Sequence, residues 1–174
     1  MLEEQLSCMA SRIFDSPFGL VPVGSEKIDS CSFAQRLAAG IAKSRRPDDS
    51  EGRLYPGDAT QFLHGPLGRL DIETGAAGVA LMLGRFGLDV SSDVEWITTK
   101  LLKSEISLHF HGLLRGTVGI ASVFSQLGYC EKAIGLLPLS LPYGPSDDIS
   151  IRSGIAGTVL SLLQNQIQIA AVPR

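Results

Sequence analysis

The chain has 174 residues, a formal net charge of −3 at pH 7 and 44% hydrophobic residues. The acidic balance argues against a phosphate-backbone binder, which carries a basic footprint, and so large an apolar fraction excludes an intrinsically disordered chain. The three cysteines, Cys8, Cys31 and Cys130, are odd in number and far apart. They form neither a disulfide framework nor a metal knuckle, so a reducing cytoplasm is expected.

Met1-Leu2-Glu3-Glu4 places acid where a signal peptide needs a basic region, so no targeting segment is read. Residues 1–31 are weakly patterned, broken by Pro17, Gly19, Pro22 and Gly24. Ser32 then predicts a helix start, with Phe33, Leu37 and Ile41 as its apolar stripe and an end near Ser44. The polar stretch Arg45–Ser50, with Pro47 in it, reads as a linker. Arg45 and Arg46 read as a solvated helix end suited to the negative pole of the helix dipole. The chain therefore divides into an N-terminal segment (1–31), a lead-in helix and linker (32–57), and a repetitive region (58–174).

In that region three motifs recur: Gly75-Ala76-Ala77-Gly78, Gly116-Thr117-Val118-Gly119 and Gly154-Ile155-Ala156-Gly157. Their first glycines are 41 and 38 residues apart, and an apolar run follows each motif at once. In the first two units that run ends at a glycine twelve residues on, Gly87 and Gly128. Nineteen glycines, about 11% of the chain against an ordinary usage of roughly 7%, fit this pattern. A period near 40 residues is the mark of a repeat architecture. Each unit reads as a hairpin of an inner, all-apolar helix and an outer, amphipathic one. Ser92-Asp93-Val94-Glu95 predicts a capping box for the first outer helix, with Val94, Ile97, Leu101 and Leu102 as its stripe. Glu131 to Leu137 fills the same place in the second unit, stopping before Pro138.

Paired glycines three residues apart share a helix face and admit close backbone approach. At a helix start they also leave first-turn N–H groups open to an anion or a loop carbonyl. Packing at a crowded hairpin junction is the favoured reading, since repeats bury their core by stacking. No lysine completes a P-loop. The residues between the glycines do not suit a nucleic-acid clamp. Ser153 to Pro173 carries no charge, but Gln164, Asn165, Gln166 and Gln168 interrupt it, so it reads as a buried helix rather than a membrane span.

These features resemble the lanthionine synthetase C-like family, and most closely the cyclase portion of fused kinase–cyclase lanthionine synthetases. The resemblance rests on Arg53-Leu54-Tyr55-Pro56-Gly57-Asp58-Ala59-Thr60-Gln61-Phe62 ahead of a first repeat like Gly75-Ala76-Ala77-Gly78-Val79-Ala80-Leu81. With Ala38-Ala39-Gly40-Ile41-Ala42 upstream, it covers residues 34 to 165. It implies an all-α fold: an α/α toroid of six helical hairpins, of which this chain carries about three. It implies a reaction in which a peptide cysteine thiol adds to dehydroalanine or dehydrobutyrine, closing a thioether ring in a precursor peptide. That chemistry needs a thiolate and an acid to protonate the enolate. Many members hold zinc with two Cys and a His. Those ligands lie in later repeats, none of the three cysteines here adjoins a histidine, and no metal ligand or cofactor is assigned to this chain.

On a toroid, the residues ahead of each Gly-x-x-Gly motif sit at one rim of the cavity: Asp71, Glu73 and Thr74; His109, His111 and Arg115; Asp148, Ser150 and Arg152. His111 is the candidate proton donor, and Arg115, Arg152 and Glu73 are candidates for holding substrate. The competing reading is helix capping, for which Asp71 and Thr74 are natural. His64 and His109 read as loop or surface residues, Asp58 as a turn residue and Cys130 as a small apolar filler. The expected protein is the N-terminal half of a cyclase domain, inactive alone, with a precursor peptide as substrate or ligand and no nucleic acid or membrane partner. The third hairpin would have an uncovered flank, so the isolated chain is expected to be marginally stable or to self-associate, unless a missing half-toroid completes it. The alternative is a non-catalytic helical-repeat module that binds a peptide or protein. A carbohydrate-processing toroid is a distant third, because it would need a facing pair of carboxylates.

Overall fold

The computed structural model describes residues 30–57, 61, 65–103, 112–137 and 148–170. Two compact units divide the chain, Met1–Ala34 and Gln35–Arg174; of the first, residues 30–34 are described. All the described elements are helical, with no strand among the described residues. They are α1 (Ser30–Lys43), a 3-10 turn (Pro66–Arg69), α2 (Ala76–Arg85), α3 (Ser91–Lys103), α4 (Thr117–Gln126), α5 (Cys130–Leu136) and α6 (Ile155–Ala170).

Helix α1 starts two residues before the expected Ser32 cap, and its buried stripe also differs from expectation. Ala38, Ile41 and Ala42 join the core, whereas Phe33 and Leu37 are exposed. The chain then turns back, Arg46 N–H donating to the Leu54 carbonyl at 2.7 Å, which delivers Leu54 and Tyr55 into the core.

Helix α2 pairs with α3, and α4 with α5; α4 also lies between α2 and α6. Thr117 to Ser125 of α4 are all buried, as a helix apolar all round must be. Helix α3 is amphipathic: Val94, Ile97 and Leu101 are buried, while Leu102 is 71% exposed. The stripe follows i, i+3 and i+7, and Leu102 lies about 100° further round.

Both α2 and α4 stop by the same device. Gly87 and Gly128 adopt left-handed φ of 76° and 88°, and the residue after each donates back to the helix, Leu88 N–H to the Leu83 carbonyl and Tyr129 N–H to the Phe124 carbonyl. These are Schellman turns, which favour glycine because it bears no Cβ. In the third unit Gln166 occupies that position, and α6 runs on to Ala170. The stretch expected as a buried helix is in fact half-exposed. Gly157, Thr158 and Ser161 are buried, with Ser161 Oγ donating to the Val118 carbonyl of α4, while Ile155, Val159, Leu160 and Leu163 face solvent. No helix of the described residues is long and apolar enough to cross a membrane.

The second glycine of each motif has one structural reason. A Cβ on Gly78 would overlap the Ile72 carbonyl, one on Gly119 the Leu113 carbonyl, and one on Gly157 the Ile151 carbonyl. In all three units the chain six residues upstream crosses the first helical turn at backbone contact. In the first and third units, first-turn N–H groups are also satisfied from this loop: Ala77 and Gly78 donate to Leu70 and Asp71, and Ile155 donates to Asp148. A loop carbonyl, not an anion, takes these donors.

Candidate functional site

The loops ahead of the three motifs lie side by side, joined through their backbones. Ile72 and Glu73 N–H donate to the Leu114 carbonyl at 3.1 and 3.3 Å. Leu113 N–H donates to Ile151, and Leu114 and Arg115 N–H donate to Arg152, all within 3.1 Å. This ladder brings together three of the rim residues singled out from the sequence. Glu73 Oε2 accepts from Arg115 Nε at 2.6 Å and from Arg152 Nε at 2.8 Å. The other carboxylate oxygen accepts from Arg115 Nη2 at 3.4 Å and also from Arg152 Nη2.

One carboxylate thus accepts from two guanidiniums. Glu73 and Arg115 are mostly covered, but the Arg152 side chain is 52% exposed. Guanidinium does not exchange protons at physiological pH, so Arg115 and Arg152 can orient an anionic group but cannot themselves act as an acid or base.

The neighbouring polar residues brace the loops rather than cap the helices, and the N-cap of α2 is Gly75, which makes no side-chain cap bond. Asp71 Oδ1 accepts from Thr74 N–H at 2.8 Å and Gly75 N–H at 3.0 Å, while Thr74 Oγ1 donates to the Gly68 carbonyl. In the third unit Asp148 accepts from the Ser153 hydroxyl at 2.7 Å and from Ser150 N–H at 2.8 Å. Those bonds, the Ser153 hydroxyl foremost, hold its carboxyl below the usual range. Cys130 opens α5 and is half-buried. His64, His109, His111, Asp58 and Cys8 lie outside the described residues. Among the described residues no group of three or more His, Cys, Asp or Glu side chains is placed to hold a metal ion.

A second cluster escaped the sequence reading. Asp93 is fully buried, and its carboxylate accepts from Tyr55 OH at 2.9 Å and Arg45 Nη2 at 2.9 Å, with Arg45 Nε 2.6 Å from its other oxygen. Burial, followed by the bond to Asp93, pushes the Tyr55 hydroxyl up to about 12. Burial alone would lower the Arg45 guanidinium, but the bonds to Tyr55 and Asp93 outweigh it and raise it. Arg45 is thus the partner of a buried acid, not a solvated helix end. Asp93 is not part of a capping box: α3 begins at Ser91, whose N–H donates to Asp89 Oδ1 at 2.9 Å. The available signal was register, since Asp93 shares a helix face with Ile97 and Leu101 at i+4 and i+8.

No family model, curated protein or solved structure matches the chain.

Proposed function

We propose that this chain is a lanthionine synthetase C-like helical-hairpin module of the cytoplasm that holds a precursor peptide without itself closing thioether rings. Its hairpins are about three of the six in the family's α/α toroid. The observation carrying this reading is the threefold recurrence of one junction, in which a loop carbonyl packs on the second glycine of the motif. Such recurrence supports a true repeat rather than a chance spacing of glycines.

Ring closure requires a thiolate and a proton donor for the enolate. The described rim offers neither, and His111 is the residue assigned the donor's part. What the rim offers is the half-exposed guanidinium of Arg152, suited to an acidic stretch of peptide.

The test is to incubate the purified chain with a dehydrated precursor peptide and measure binding and ring formation separately. Ring closure leaves the peptide mass unchanged, so it is read by loss of alkylatable thiol. The expected result is saturable binding with every thiol retained, weakened about tenfold by Arg152→Glu, equivalent to roughly 1.4 kcal/mol. Absence of binding, or thiol loss with the chain alone, would overturn the proposal.

A further inference from the structure

We infer that the open flank of the third unit is an interface on which a second copy of this chain docks head to tail. The first observation is a change of burial at equivalent positions. Ala76 and Ala80 of α2, and Thr117, Ala121 and Ser125 of α4, are buried. The matching positions of α6 are Ile155, Val159 and Leu163, and all three are exposed, the last two at 51% and 53%. Ile149 and Ile151, in the loop ahead of α6, are exposed as well, at 76% and 54%. The register that is covered in two units therefore carries larger apolar side chains and no cover in the third. Ile155, Val159 and Leu163 share one helix face at i, i+4 and i+8, and exposed apolar side chains grouped in this way mark an interaction surface.

The second observation identifies the occupant. Each loop donates backbone N–H groups forward to the next: Ile72 and Glu73 to Leu114, and Leu113, Leu114 and Arg115 to Ile151 and Arg152. Among the described residues the N–H groups of Ile151 and Arg152 donate to nothing. At the other end, the Glu73 carbonyl stands where those of Leu114 and Arg152 accept, and among the described residues it accepts nothing. One chain thus carries an open donor edge and an open acceptor edge of the same ladder. Head-to-tail association satisfies both, whereas a face-to-face pairing of two third units would set donors against donors. Such heterologous contacts either close into a ring or extend as a filament.

Sedimentation velocity of the full chain at micromolar concentrations tests this, with amide hydrogen exchange as the second readout. The expected wild-type species is at least twice the 18.5 kDa chain mass. It should dissociate on dilution and show protected amides at Ile151 and Arg152. Val159→Asp and Leu163→Asp alter exposed side chains, so both should keep the helical circular dichroism while shifting the species to a monomer with those amides unprotected. Leu102→Asp, at a still more exposed apolar residue on α3, should leave the assembly intact. A wild-type monomer at every concentration, or an assembly that survives both α6 variants, overturns the proposal. So does an assembly in which Ile151 and Arg152 exchange freely, since that is a face-to-face pairing.

Discussion

Glu73 and Arg152 stand 79 residues apart in sequence, yet Glu73 Oε2 lies 2.8 Å from Arg152 Nε, with Arg115 on the same oxygen at 2.6 Å. A single carboxylate from the first unit therefore ties all three loops together at their leading edge. The backbone ladder positions these side chains, because each loop is hydrogen-bonded to the next within a residue or two of the charged group.

The charged cluster predicts a salt-sensitive contribution to stability. Glu73→Ala leaves two guanidiniums side by side and should cost about 1 kcal/mol, while Arg152→Ala, which removes the more exposed partner, should cost less. Urea titrations at low and high ionic strength check this. The Glu73→Ala deficit should shrink in high salt as the remaining repulsion is screened.

Alanine at the second glycines should be the most damaging small change in the repeats. Gly78→Ala, Gly119→Ala and Gly157→Ala each drive a methyl group into a backbone carbonyl, which cannot rotate away as a side chain can. A cost of about 1–3 kcal/mol or more is expected from such overpacking. Gly40→Ala is the control. It is within α1 with nothing near its added Cβ, and should stabilise by about 0.5–1 kcal/mol. Chemical denaturation of the four variants orders them.

The buried acid predicts a large and asymmetric loss. Asp93→Ala strands Arg45 and the Tyr55 hydroxyl and should cost about 3–5 kcal/mol. Tyr55→Phe removes the hydrogen bond to Asp93 and the one accepted from Arg45 and should cost about 1–2 kcal/mol. The double variant should lose less than the two single losses together, because the residues share one network. Equilibrium unfolding of the three variants measures this coupling.

Tyr55 also sets an alkaline limit. Its hydroxyl is raised from 10.0 to about 12 in the folded chain, so the unfolded chain gives up this proton first as pH rises. Its contribution is complete below pH 10 and is lost progressively as pH rises from 10 towards 12. Ultraviolet titration should show one of the three tyrosines ionising late, and Tyr55→Phe should remove that step and flatten the fall in stability.

The amino-acid sequence determined what depends on neighbours along the chain. The all-helical character, the bounds of α2, α4 and α5 to within a residue or two, and the stops at Gly87 and Gly128 follow from glycine spacing and local periodicity. Those are contacts within one or two helical turns. That Glu73, Arg115 and Arg152 hold matching places in successive loops was legible for the same reason, as offsets from a repeated motif. Tertiary structure alone decided the rest. That Glu73 would clamp both arginines depends on the loops pairing about 40 residues apart. That Arg45 would leave its helix end for Asp93 depends on α3 burying an acid on its apolar face. The sequence predicts an uncovered flank on the third hairpin but a buried third inner helix; the structure exposes Ile155, Val159 and Leu163 of that helix, because burial depends on which helix lies opposite, and hydrophobic periodicity reports a face without naming its partner.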